Sequence, residues 1–358
     1  MIRSLFALLF LTIISCKQQQ PATVVEEISL SDTDLTSVGK QKLSDYGFFV
    51  GNLKDLNPAE RVTEYELNSP LFSDYAFKKR FVFIPEGSQI TYNSDDVFDF
   101  PNGTVLIKNF YYPSDFRKPT DDIRVIETRL LIKEGDAWKA LPYIWNDEQT
   151  EAFLEVAGKN LRVSWTHEGG SSQQVLYSVP NMNQCSGCHL RGDKIMPIGP
   201  TARQLNGPIR SEDENQLVQW SSNGLLQGLP EMTRVPRLVA YNSDEAPVNL
   251  RARAWLEVNC AHCHRPDGPA KTSGLHLLAS VTNRAELGIG KAPVAAGRGS
   301  GGLLFDIVPG DPEASILYYR IQSSDPGVMM PELGMKLVHK EGVELVRQWI
   351  VQLKKDGV

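Results

Sequence analysis

Cysteine is scarce in this chain: there are five in 358 residues, an odd number that cannot close as a disulfide framework without leaving a thiol over. Positive charge is not in excess either. Lys and Arg total 37 against 43 Asp and Glu, a formal net charge of −6. No basic cluster marks a phosphate-binding surface, so nucleic acid is excluded as a partner. Long apolar runs are missing apart from one near the N-terminus, which rules out a polytopic membrane protein. With 41% hydrophobic and 22% charged residues, the composition is that of a globular chain. At roughly 150 residues per domain the length suffices for two domains, each with its own core.

The one apolar run, Leu5 to Ile14, follows Arg3 and has the length of an export signal, too short to span a bilayer comfortably. It ends Ile13-Ile14-Ser15-Cys16, which resembles the lipobox of bacterial lipoproteins, where the cysteine becomes the first residue and carries the lipid. The expectation is a signal peptide over 1–15, lipidation at Cys16, a polar tether over 16–45, and a body in the cell envelope. That body is held to a membrane by its lipid and faces the periplasm or the exterior. An ordinary secretory signal or an uncleaved anchor are the alternatives.

The other four cysteines form two close pairs. Cys185-Ser186-Gly187-Cys188-His189 and Cys260-Ala261-His262-Cys263-His264 both read C-x-x-C-H, the attachment pattern of c-type haem. Two thiols at this spacing reach the two vinyl groups on one side of a porphyrin, and the next residue turns its imidazole under the iron. A zinc ribbon explains two C-x-x-C pairs but not the His after each, and a thioredoxin-type site needs one pair. The spacing therefore predicts two covalently bound haem c groups. Cys185, Cys188, Cys260 and Cys263 supply the thioethers, and His189 and His264 are the proximal iron ligands. His262 is a spacer near the second haem edge.

Along the chain the character changes near Pro180. From 46 to 180, Phe77 to Ile84, Thr104 to Tyr112, Ile123 to Lys133, Ala137 to Trp145, Leu161 to Trp165 and Val175 to Val179 read as strands. Asn102-Gly103 and Glu134-Gly135-Asp136 read as hairpin connections. After Pro180, Ser211 with Glu214 predicts a capped helix through Leu217 and Trp220; Asn249 to Asn259 and Lys340 to Leu353 are two more. The expected fold class is α+β and multidomain: an N-terminal all-β sandwich or barrel-like domain over 46–180, a first haem-binding segment over 181–247, and a mostly α-helical cytochrome c region over 248–358.

Residues 248 to 354 resemble a class I cytochrome c domain, on the strength of Asn259-Cys260-Ala261-His262-Cys263-His264, Val308-Pro309-Gly310-Asp311-Pro312 with Ser315, Met330-Pro331 and Gln348-Trp349-Ile350. The resemblance implies that Met330, preceding Pro331, is the distal ligand of the second iron, with Met329 and then Met335 as competitors. The whole chain resembles a bacterial family of di-haem cytochrome c lipoproteins. The residues that carry this likeness are Glu66-Leu67-Asn68-Ser69-Pro70-Leu71-Phe72-Ser73-Asp74-Tyr75, Phe100-Pro101-Asn102-Gly103-Thr104 and Pro197-Ile198-Gly199-Pro200. It implies the cofactor more firmly than any reaction.

For the first iron, Met196 is the candidate distal ligand, seven residues beyond His189; Met182, Met232, His167 or an open position are the alternatives. That position decides function. Two His/Met irons leave no vacancy and suit single-electron transfer between redox protein partners, the favoured expectation. An open first iron would suit a peroxidase-like di-haem oxidoreductase instead. No catalytic constellation beyond the haem motifs stands out.

Overall fold

Alternating inward and outward side chains build one open antiparallel sheet. The computed structural model describes residues 38–295 and 297–354. Its strands β1 (Val62–Tyr65), β2 (Phe77–Phe83), β3 (Ile90–Thr91), β4 (Val105–Pro113), β5 (Ile123–Glu134), β6 (Ala137–Trp145) and β7 (Ala152–Leu154) come first in the chain. All but β3 join a six-stranded sheet in the order β1-β2-β4-β5-β6-β7. Strands β8 (Lys159–Thr166) and β9 (Ser172–Val179) form a separate hairpin, tied to the chain after β4 where Thr166 bridges Asp115. Gly135, at φ 60°, makes the two-residue connection that pairs Glu134 with Ala137 across β5 and β6, as a tight hairpin requires. Asn102-Gly103 does not make a hairpin. Asn102 Oδ1 accepts the Gly135 N–H at 2.7 Å and the Gly103 N–H reaches the Lys133 carbonyl at 2.9 Å, so this turn docks on the β5–β6 hairpin and launches β4.

Register decides what each face carries. Phe81, Ile107, Leu130 and Leu141 are successive cross-strand partners, all essentially fully buried. Over this face lies the chain before β1, where Phe49 meets Phe81 edge-on at 5.2 Å and Phe48 meets Phe83 at 5.6 Å. One residue along, the partners Arg80, Lys108, Arg129 and Pro142 point to the opposite face, as the period of two demands. There the upper part of the sheet packs Val82, Leu106 and Trp138 against Leu205, Leu217 and Trp220 of the middle of the chain. The β8–β9 hairpin joins Val163, Trp165, Val175 and Tyr177 to Phe110 and Tyr112 at the other end.

Helices α1 (Met182–His189), α2 (Ala202–Leu205), α3 (Gln216–Ser222), α4 (Val248–Cys260), α5 (Ile316–Ile321) and α6 (Lys340–Leu353) follow. Between them lie the short strands β10 (Leu190–Arg191), β11 (Lys194–Ile195) and β12 (Leu226–Gln227), the last pairing in parallel with β3. Helix α3 begins later than Ser211 predicts: Asn215 caps it by accepting the Leu217 N–H, while the Ser211 hydroxyl bonds to Glu212. Helices α4 and α6 bury Ala252, Trp255 and Leu256 against Val346, Trp349 and Ile350, each large side chain contributing on the order of 2–3 kcal/mol.

Two expectations about fold class are corrected. The β region is neither a sandwich of two comparable sheets nor a barrel, because the six-stranded sheet stays open and only one hairpin packs over it. The C-terminal region is not mostly α-helical. Among its described residues, the chain between α4 and α5 forms turns and two single-turn 3₁₀ segments, Lys271–Ser273 and Gly297–Ser300. Glycines at positive φ, such as Gly274 and Gly288, break any helical run there. The mostly β protein folds as one compact unit over Gly39–Val358. No helix among the described residues is long and apolar enough to cross a membrane.

Candidate functional site

The first C-x-x-C-H is built into α1. A reciprocal cap starts the helix: Asn181 Oδ1 accepts the Gln184 N–H at 2.8 Å, and Gln184 Oε1 accepts the Asn181 N–H at 3.0 Å, satisfying donors the first turn would leave bare. One turn of helix then separates Cys185 from Cys188 and His189. The β10–β11 hairpin folds the chain back so that the Met196 N–H donates to the His189 carbonyl at 2.8 Å. The Met196 carbonyl lies 2.8 Å from His189 Nδ1. A carbonyl only accepts, so Nδ1 carries the proton and Nε2 is the lone-pair nitrogen.

The second motif begins at the last residue of α4. Cys260 ends the helix, and its carbonyl accepts the N–H groups of Cys263 and His264 at 3.1 and 2.9 Å. His264 Nδ1 lies 3.0 Å from Ser273 Oγ, whose own proton goes to the Ala270 carbonyl at 2.7 Å. The serine therefore accepts from Nδ1–H, and again Nε2 is left with its lone pair. Among the described residues no protein group bonds to Nε2 of either histidine. Burial pushes both imidazoles down to about 4, so both are neutral at pH 7, the form that binds a metal.

The two motifs pack against each other. The Cys263 thiol reaches the Gly187 carbonyl at 3.6 Å, and the proximity of the Cys188 and Cys263 thiols lowers the first pKa and raises the second. Burial raises Cys260 to about 12. Arg191 clamps the pair from outside, meeting Asp96 at 2.6 Å and Asp267 at 2.8 Å. His262, the expected spacer, is buried with Nδ1 unpartnered and lines the same cavity as Cys188 and His189 of the first motif.

A cavity of about 220 Å³ is lined by Cys185, Cys188 and His189. Its opposite wall is the sheet row Arg80, Lys108 and Arg129. Three like charges side by side across strands repel one another. Glu66 pairs with Arg80, and Glu127 pairs with Arg129 through two bonds of 2.5 and 2.8 Å. Among the described residues Lys108 has no carboxylate partner, only the face of Phe110 at 4.8 Å. Burial, with Arg80 and Lys78 nearby, holds its pKa well below the ordinary lysine range. Arg80, 3% exposed, keeps a buried Nη2 with no partner. A cavity with thiols and a lone-pair imidazole on one wall and under-compensated cations on another fits an apolar macrocycle carrying two carboxylates, which is haem.

The remaining expected residues fall as follows. Met330 is half-buried and its N–H donates to the Arg320 carbonyl at 3.2 Å; Arg320 lies close enough to His264 to depress its pKa. The Met196 and Met232 side chains pack against the apolar cluster of Leu205 and Trp220. Cys16 and its signal lie outside the described residues. Among the described residues no three His, Cys, Asp or Glu side chains are arranged to hold a metal ion together, whereas a zinc ribbon needs four such ligands. The cation row escaped sequence reading, although Arg80, Lys108 and Arg129 occupy alternate positions of strongly apolar strands and that period assigns them to one face. Comparison with family models, curated proteins and solved structures returns no match.

Proposed function

We propose that this protein is an exported, lipid-anchored di-haem c-type cytochrome that passes single electrons between redox protein partners. One observation carries the reading. Twice, a C-x-x-C at a helix is followed by a half-buried, neutral histidine whose Nδ1 is fixed by a hydrogen bond and whose Nε2 has no protein partner among the described residues. That is how a protein orients an imidazole toward iron. When bound, each haem c supplies a one-electron ferric/ferrous couple.

The chain's own groups have defined tasks. Cys185 and Cys188 would hold one haem by thioethers and Cys260 and Cys263 the other. His189 and His264 would bind the irons through Nε2, and Met330 would be a further ligand at the second. Arg80 and Arg129, with Lys108 between them on the cavity wall, would meet the carboxylates of a haem held there, where charge is weakly screened. Contact between Cys263 and Gly187 brings the two attachment points together, the arrangement that exchange between two haems held there would need. Cys16 would tether the body to a membrane.

Spectra of the purified holoprotein, oxidised and reduced, with and without carbon monoxide, test the role. The relay requires two low-spin irons and no carbon monoxide adduct. A high-spin, ligand-binding iron would replace it with the oxidoreductase reading.

A further inference from the structure

The identity of the group facing His189 across the first iron follows from which side chains share its cavity. Met196 is held on the other side of the problem. Its carbonyl sits on His189 Nδ1, the ring edge turned away from Nε2, and its side chain is committed to the apolar cluster with Leu205 and Trp220. Met232 packs in that same cluster. Met182 opens α1 and Met329 is buried beside Arg320; neither is on the cavity wall. Among the described residues, Met335 is the only methionine lining the space that contains Cys185, Cys188 and His189.

Met335 belongs to a segment fixed at both ends. At its start the Met330 N–H is tied to the Arg320 carbonyl at 3.2 Å, beside the second motif. At its end the N–H groups of Lys336 and Leu337 both donate to Asp74 Oδ1, at 2.7 and 2.8 Å, and Asp74 is 2% exposed. Between them Leu333 packs so tightly on Gly187 that a Cβ there would lie 2.7 Å from Leu333 Cδ1. Pro331 to Lys336 thereby forms one wall of the first cavity, although in sequence it follows the methionine expected at the second iron.

Building on the two-haem reading, we propose that Met335 supplies the sixth ligand of the iron held by His189, so that one segment, 330–337, closes both centres. A thioether on a flexible, unbranched side chain suits that position. The coordinate bond forms from a sulfur lone pair, with no proton or electron transferred. Lys108 and His262 line the same cavity and are the competing donors.

The test uses the full-length holoprotein and its Met335→Leu, Met335→His and Met330→Leu variants. Leucine keeps the packing without a donor; histidine keeps a strong-field donor. Haem content of two per chain in every variant secures the underlying reading; fewer than two in the parent would sink that reading instead. With two haems present, Met335→Leu is expected to lose half of the methionine-to-iron charge-transfer band and to let one iron bind carbon monoxide. Met330→Leu should lose the other half. Met335→His should restore a low-spin iron without restoring the band, and lower one reduction potential. An unchanged band and no carbon monoxide adduct in Met335→Leu would overturn the proposal. If substituting Lys108 or His262 removed a ligand while Met335→Leu did not, that donor would take its place.

Discussion

His339 shows how a single buried ring couples packing to pH. It stacks on Phe72 at 4.3 Å and accepts the Trp255 Nε1–H at 2.9 Å. Burial lowers its pKa to about 4, with Glu341 opposing and Lys78 adding to the shift. In the folded protein the ring is therefore neutral down to that pH, whereas the unfolded chain takes up a proton below about 6.5. Stability is lost as the pH falls from 6.5 toward 4, by roughly 3 kcal/mol at full effect. Urea unfolding at a series of pH values checks this: His339→Gln keeps an acceptor for Trp255 and should flatten that stretch of the profile. At the first centre, Arg80→Gln removes a guanidinium that stays charged, keeps Nη2 unpartnered and would disfavour the more positive, oxidised iron. It should lower one of the two midpoint potentials in a redox titration and leave the other in place.

At the scale of elements, α4 and α6 meet at Gly342, where a Cβ would fall 2.1 Å from Trp255 Nε1 and 2.8 Å from His339 Nδ1. Helix propensity alone favours Ala over Gly by about 1 kcal/mol. Here overpacking and the loss of a buried hydrogen bond outweigh it. Gly342→Ala is expected to destabilise by about 2 kcal/mol net, read as a lower denaturation midpoint. The apolar stripe of α6 and the alternation of β2, β4, β5 and β6 were legible in the sequence, because each of those elements buries one repeating face. The start of α3 was not. Ser211 followed by Glu214 matches a capping box, but Asn215 makes the cap bond, a choice between two competent side chains that tertiary packing settles. Asn102-Gly103 likewise has the chemistry of a hairpin turn, yet its partners lie on the β5–β6 hairpin rather than across its own strands.

At the largest scale, both faces of the central sheet are covered, one by the chain before β1 and the other by the β8–β9 hairpin and the chain around α2 and α3. The C-x-x-C-H motifs could be read directly because attachment chemistry fixes their spacing locally. Their contact through Gly187, Cys263 and Arg191 could not, since it joins residues far apart in the chain and leaves no periodic trace. The same holds for the wall that Met335 shares with His189. A helical C-terminal region was expected from two helical patterns and the resemblance to class I cytochrome c domains; the glycine-punctuated stretch between α4 and α5 instead runs as turns around the second motif. The central claim, that each motif carries a covalent haem, is tested most directly by intact mass of the protein expressed with its export signal in a host that matures c-type cytochromes. The account predicts the mass of the processed chain plus two haem groups, falling by one haem in Cys185→Ala/Cys188→Ala and by one in Cys260→Ala/Cys263→Ala. A mass equal to the bare polypeptide, or to a chain bearing only disulfides or zinc, would contradict it.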